Sequence, residues 1–205
     1  MRKGTLFTVS APSGAGKTRL VKALVAQTPE LVLSVSHTTR PMRPGEEAGV
    51  DYHFVDPGQF DALVRQGAFL EHACVFGNRY GTARSSVDAA LETGNSVILE
   101  IDWQGAAQVR QHAPEAVSLF ILPPSRAELE RRLRDRGQDS EDVIARRMAA
   151  ACDEISHYAE ADFIVVNDDF SRALADAASI IRSQGLRRAK QVLALSDLVD
   201  SLLGE

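Results

Sequence analysis

The chain reads as an α/β fold with a doubly wound parallel sheet, and three observations predict it. Four short apolar runs, Leu6–Val9, Val97–Ile101, Val117–Leu122 and Phe163–Val166, each carry at most one polar residue. Continuous apolar runs of this length mark strands buried on both faces, as in a parallel sheet covered by helices. Helical patterns lie between them, at Gly16–Gln27, Gln104–His112, Ser125–Arg136 and Ser140–Tyr158. Strand–helix alternation belongs to this class. The third observation is the glycine-rich turn "SAPSGAGKT", which joins the first run to the first helix.

The bulk composition agrees. At 205 residues the chain suits one domain, or a core with small insertions, and 44% hydrophobic residues can fill a core of ordinary size. A formal net charge of -5 argues against a protein that binds nucleic acid through bulk positive charge, while leaving room for a local anion pocket. Cys74 and Cys152 stand far apart and without metal-ligand spacing, so they are expected as small apolar residues in a reducing compartment. The N-terminus lacks an apolar leader, and no apolar run is long enough to span a bilayer. A soluble cytoplasmic protein is expected, with neither a membrane nor a nucleic acid as partner. The oligomeric state stays open, a homo-oligomer included.

Taken in order, the first element is the strand at Leu6–Val9, followed by the turn Ser10–Thr18 and the helix "TRLVKALVAQ". The turn fits the phosphate-binding pattern G-x-x-x-x-G-K-[ST], except that Ala11 stands at the first glycine. A loop that runs from a buried strand into a helix N-terminus presents backbone N–H groups and the positive end of the helix dipole to an anion. Gly14 and Gly16 let the backbone curl around the oxygens. Lys17 can reach the terminal phosphates as a point charge, and the Thr18 hydroxyl can take a Mg²⁺ position.

The region from about Ser34 to Thr93 breaks the alternation and reads as short strands and turns rich in Gly, Pro, Arg and Tyr. It is taken as an insertion that carries substrate contacts. The next strand ends "VILEIDWQG", where Glu100 and Asp102 share one face and a carboxylate can hold Mg²⁺ through water. Ser125-Arg126-Ala127-Glu128 reads as a capping box that starts a helix after Pro123-Pro124. The arginine-dense segment "RRLRDRGQDSEDVIARRM", hinged by Gly137, is a second candidate insertion. Ile144, Met148, Ala151, Ile155 and Tyr158 recur at helical spacing and predict one apolar face. After the last apolar strand comes "VVNDD", and Leu186–Glu205 reads as one further helix.

"SAPSGAGKT", "SVSHTTRPMRPGE", "DYHFV", "FLEHA…FGNRYGT", "EIDWQGA", "FILPPS", "RLRDRGQDSE" and "FIVVNDD" follow one another in the order found in bacterial guanylate kinases. The chain resembles that family from about Gly4 to Leu186. The resemblance implies a P-loop NTPase-like three-layer fold with a central parallel sheet, a small mixed GMP-binding insertion and a helical lid. It implies a guanylate-kinase-like domain over 4–184, with core 4–33, 94–124 and 159–186, insertion 34–93 and lid 125–158, and a helical tail at 187–205. The implied reaction is ATP plus GMP giving ADP plus GDP, with dGMP as a further acceptor and Mg²⁺ as cofactor. Two rival readings share the fold: a kinase of another small phosphate acceptor, against which the guanine-edge group Ser36, Glu71, Thr82 and Asp102 argues, and a non-catalytic phosphopeptide-binding module. Such modules usually lose the loop lysine or the GMP set, both of which are present here.

Residue by residue, the resemblance implies that Arg40, Arg43, Tyr52 and Tyr80 hold the GMP phosphate, which suits two guanidinium forks and two phenols. Glu71 and Asp102 accept from guanine N1–H and the 2-amino group, and Ser36 and Thr82 serve O6. Adenine offers neither of those donors and would leave Glu71 unpaired, which is how such a site rejects a base. ATP falls to Ala11, Pro12, Ser13, Gly14, Ala15, Gly16, Lys17 and Thr18, with Arg132, Arg136 and Asn167. Arg136 and Arg147 join Lys17, Arg40 and Arg43 as catalytic cations, and Asn167 is also read as a cap for the helix after it. Thr18 and Glu100 take Mg²⁺, partly through water. Relatives commonly show DIDxQG, so Glu100 keeps the first carboxylate on an arm one methylene longer.

Overall fold

The computed structural model describes residues 3–135 and 141–204. From the N-terminus the elements are β1 (Leu6–Ser10), α1 (Lys17–Gln27), β2 (Leu31–Leu33), β3 (His37–Thr38), β4 (His53–Phe54), α2 (Pro57–Arg65), β5 (Phe69–Val75), β6 (Asn78–Ala83) and α3 (Arg84–Glu92). Then come β7 (Ser96–Glu100), α4 (Trp103–His112), β8 (Val117–Leu122), α5 (Arg126–Asp135), α6 (Glu141–Ser156), β9 (Phe163–Val166), α7 (Phe170–Gly185), α8 (Arg188–Ala194) and α9 (Ser196–Leu203). A 3-10 turn, His157–Glu160, joins α6 to β9.

The expected parallel sheet is present, in the order β2-β7-β1-β8-β9. All its pairings are parallel, and β1 lies between β7 and β8. Because a strand presents alternate residues to opposite faces, its apolar runs feed two cores. Phe7, Val9, Ile98, Leu119 and Ile121 meet Leu20, Leu24, Ala173 and Ala177 of α1 and α7 on one side. Leu6, Val97, Leu99 and Ile101 meet Val87, Leu91, Ala106 and Val109 of α3 and α4 on the other. Truncating any one of these large side chains to alanine costs roughly 2–5 kcal/mol. From β1 the chain runs first to the β2 and β7 side, then crosses to β8 and β9. The carboxyl end of β1 is therefore the topological switch point, where α/β sheets of this kind bind ligands.

The insertion region holds a second, mixed sheet in the order β4-β3-β6-β5. It also holds helices α2 and α3, which the reading of short strands and turns does not anticipate. The tail is two helices broken at Leu195, not one. Ile144, Met148 and Ala151 of α6 are buried against Leu129 and Leu133 of α5, as their spacing predicts. Tyr158 is exposed and lies in the 3-10 turn, because α6 ends at Ser156. Cys74 and Cys152 are both exposed rather than core residues. No helix is long and apolar enough to cross a membrane among the described residues.

Candidate active site

The phosphate loop closes through two left-handed glycines, Gly14 at φ 97° and Gly16 at φ 88°. Neither tolerates a side chain. A Cβ on Gly14 would approach Leu129 of α5 to 2.9 Å, and one on Gly16 would approach the Asn167 amide to 2.5 Å. Gly16 is the N-cap of α1, so the helix dipole opens into the loop. Lys17 Nζ donates to the Ile101 carbonyl at 2.6 Å, which holds the amine beside the end of β7. The Thr18 hydroxyl donates to the Glu100 carboxylate. Asn167 is buried and donates from Nδ2 to the Ala15 carbonyl at 2.7 Å. The helix after it is capped by Asp169, whose side chain accepts from Arg172 N–H, so capping is not the role of Asn167.

The mixed sheet forms the facing wall. Glu71 on β5 is buried and accepts from the Thr82 hydroxyl at 2.5 Å. Ser36 Oγ lies 3.4 Å from that same Thr82 hydroxyl. Burial pushes the Glu71 carboxyl up to about 7, and the nearby Asp102 charge adds to the push against the Thr82 hydrogen bond. Asp102 is the N-cap of α4: its Oδ1 accepts from Gly105 N–H at 2.9 Å and its Oδ2 from Gln104 Nε2 at 3.0 Å. A Cβ on Gly105 would stand 2.5 Å from Glu71 Oε2, so the first turn of α4 and the Glu71 carboxylate lie nearly in contact.

Arg40 is buried, and its guanidinium donates to Glu46 at 2.6 Å and to the Pro41 carbonyl at 2.7 Å. It stands over the Tyr52 ring at 5.3 Å, and the Tyr52 and Tyr80 rings meet edge to face at 6.0 Å. Burial, with the Glu100 charge nearby, pushes the Tyr52 phenol up to about 12, so it remains a donor at neutral pH. Arg43 is exposed, and its backbone N–H donates to the other Glu46 oxygen at 2.7 Å. Glu46 thus organises the turn that carries both arginines. It lies in the quoted motif, yet nothing in the sequence alone assigns it this work.

These two walls enclose adjoining cavities. One, of about 640 Å³, is lined by Ala11 to Gly14 and by Gly16, Lys17 and Thr18, with Phe76, Asp102 and Glu154. The other, of about 170 Å³, is lined by Ser36, Tyr52, Glu71, Tyr80, Glu100 and Asp102, and again by Lys17. Lys17, Val75 and Asp102 border both.

Helices α5 and α6 lie over the loop. Arg132 donates to the Asn167 carbonyl at 2.9 Å, to the Ala15 carbonyl at 3.5 Å and to Glu128 at 2.7 Å, so it brackets the loop against the strand end after β9. Ser125 Oγ accepts from Glu128 N–H at 3.1 Å, the first half of the expected capping box, while the Glu128 carboxylate turns to Arg131 and Arg132. Arg147 of α6 stands 5.7 Å over the ring of Phe76, at the tip of the β5–β6 hairpin. Arg136 lies outside the described residues. Nothing in the sequence singles out Glu154, yet its Oε2 accepts from Ser13 N–H at 2.9 Å, at the mouth of the loop.

Among the described residues no group of three or more His, Cys, Asp or Glu side chains is placed to hold a metal. The touching pair Thr18 and Glu100 offers a hydroxyl and a carboxylate, a hard oxygen set of the kind Mg²⁺ takes when it keeps most of its waters.

Sequence and structure comparisons agree with one another. The guanylate kinase family model matches residues 3–184. The guanylate kinase of Alkalilimnicola ehrlichii is 62% identical over 201 residues, which is 98% of this chain and 99% of that protein. The guanylate kinase of Vibrio parahaemolyticus is 56% identical over the whole of both chains. The crystal structure of guanylate kinase from Anaplasma phagocytophilum superposes with a TM-score of 0.78 at 36% identity, covering 98% of this chain and 95% of that one. A loop of this geometry facing a buried carboxylate pocket, on a chain matched along almost its whole length, makes this protein a member of the guanylate kinase family.

Proposed function

We propose that the protein transfers the γ-phosphoryl group of ATP to GMP, giving ADP and GDP. The observation that carries this reading is the pair of cavities that meet at Lys17. One side offers a phosphate cradle and the other a pair of carboxylates, and the Lys17 amine borders both.

In this reading ATP lies along 11–18, with its adenine end toward Asn167 and its phosphates met by Arg132 on closure. GMP enters between the two sheets. Glu71 and Asp102 accept from guanine N1–H and the 2-amino group, while Ser36 and Thr82 serve O6. Arg40, Arg43, Tyr52 and Tyr80 take the GMP phosphate, for which the Arg40 fork has to loosen its pair with Glu46. Lys17 stabilises the transferring phosphoryl, and Arg147 joins it from α6. The acceptor oxygen belongs to an already ionised phosphate, so no side chain has to remove a proton. Catalysis is then positioning plus charge stabilisation. Mg²⁺, held by Thr18 and Glu100 partly through water, would neutralise charge on the triphosphate. Residues 34–93 form the acceptor-binding segment, 125–158 the lid and 187–205 a tail, in a cytoplasmic enzyme.

An ADP-release assay with GMP, dGMP, AMP and ribose 5-phosphate as acceptors tests this. Turnover is expected with GMP and dGMP and not with the other two. Equal turnover with AMP, or ATP consumption that does not depend on GMP, would overturn the reading.

A further inference from the structure

Glu154 differs from Glu100, which meets the Thr18 hydroxyl: its carboxylate accepts a backbone N–H of the phosphate loop itself. It is half-buried on α6, yet the N–H it reaches, that of Ser13, lies 141 residues away in sequence. Among the described residues it forms no ion pair. Burial pushes its carboxyl up, while the Ser13 N–H and the Lys17 charge pull it back toward the ionised form. A carboxylate facing a cradle built for phosphate is a costly arrangement, because a triphosphate arriving there meets a like charge. Yet its chemistry suits the cradle while no phosphate is bound: oxygens carrying negative charge, directed at a backbone N–H beside a helix N-terminus.

We propose that Glu154 stands in for a nucleotide phosphate, so that ATP binding has to displace its carboxylate from the Ser13 N–H. The inference rests on the ATP site assigned above and names the residue that tunes its affinity. α6 is placed to register the exchange. Arg147 lies two helical turns before Glu154 on the same helix, over Phe76 of the acceptor hairpin. Incoming phosphates repel Glu154 and attract Arg147. Just past Glu154 the chain is anchored through the 3-10 turn that follows α6, where His157 stacks on Trp103 of α4 at 3.7 Å and Glu160 pairs with Arg110 at 3.0 Å. One helix thus carries both the group that incoming phosphates push away and the group they draw in, while Ile144, Met148 and Ala151 keep it packed on α5.

The test is the affinity of ATP measured by calorimetry without GMP, for wild type, Glu154→Gln and Glu154→Ala. Both variants are expected to bind ATP roughly five- to tenfold more tightly, the net worth of one competing hydrogen bond. GMP affinity, measured separately, stays at the wild-type value. A merely structural role would weaken ATP binding, so a gain is diagnostic. Unchanged or weaker ATP binding in both variants overturns the proposal, and Glu154→Gln, nearly the same in shape, carries the test where the alanine variant folds poorly. A wild-type protein that binds ATP but passes no phosphoryl group to GMP would sink the proposed function and leave this inference standing.

Discussion

Gly105 and Glu71 stand so close that a methyl group on Gly105 would come within 2.5 Å of Glu71 Oε2. Gly105 also donates its N–H to Asp102, so one helical turn fixes both carboxylates assigned to guanine. Helix propensity alone favours alanine over glycine by about 1 kcal/mol. The carboxylate contact opposes that gain, since Glu71 is buried and has nowhere cheap to move. Gly105→Ala is expected to raise KM for GMP about tenfold or more, consistent with a displaced charge-assisted hydrogen bond, and to leave ATP affinity unchanged. Steady-state kinetics with each substrate varied in turn checks this. A lowered KM for GMP would show that Glu71 does not contact the base.

The Glu71 carboxyl is raised to about 7, mainly by burial. Its unfolded value is about 4.3, so the folded protein binds more protons than the unfolded chain between these limits. The stability tied to this group is therefore fully present below about pH 4.3 and is lost as pH rises through about 7. Glu71→Gln removes that loss while keeping an oxygen for the Thr82 hydroxyl. The variant is expected to melt higher than wild type at pH 8 and to lose that advantage at pH 5, by calorimetry. Its GMP turnover should fall at the same time, because an amide presents a donor where guanine also presents one. Equal melting temperatures for the two proteins at pH 8 would refute the burial account.

Much of the frame is legible in the sequence because strands of a covered parallel sheet leave a nearly continuous apolar signature, as in Val117–Leu122, where Ser118 is the one polar residue. The helix α2 is less visible, although its start is encoded. Asp56 caps it by accepting from Gln59 N–H, Gln59 returns the bond to Asp56 N–H, and Pro57 occupies the first turn. That signal is hidden among the Pro and Gly of the surrounding turns. Gln108 is illegible for a different reason. Its amide binds both the N–H and the carbonyl of His72, tying α4 to β5, and only the fold brings those positions together. Glu154 shares that limit, since on α6 it reads as one more exposed polar residue. Arg40 and Glu46 lie close in sequence, but a six-residue spacing in a Pro-rich turn does not by itself reveal a pair.

Lys17 is expected to carry the largest single effect on chemistry. Its amine is held at the border of the two cavities by the Ile101 carbonyl. Loss of one preorganised charge that acts on the transferring group costs on the order of 10²–10³ in kcat. Lys17→Ala should show that loss with little change in melting temperature, because no buried apolar contact goes with it. Lys17→Met, which keeps the stem, should behave alike. Near-full turnover in either variant would remove Lys17 from the mechanism.

Asn167 offers a sharper test of how the loop is held. Its Nδ2 donates to the Ala15 carbonyl at 2.7 Å, and Ala15 lies in the tightest part of the loop, between the two left-handed glycines. Asn167→Asp changes this donor into an acceptor without changing its size, so two oxygens would face each other in a buried position. The cost is a lost hydrogen bond plus an unpaired buried group, about 2–3 kcal/mol. Arg132, which already bonds the Asn167 backbone carbonyl at 2.9 Å, can relieve part of the charge by turning toward it. In doing so it would leave Glu128 or the Ala15 carbonyl. Asn167→Asp is therefore expected to lower the melting temperature and to weaken ATP binding, with KM for GMP unaffected. Asn167→Ala should destabilise less, since it removes the donor without adding a charge. If the aspartate variant were the more stable of the two, the loop would not depend on this hydrogen bond.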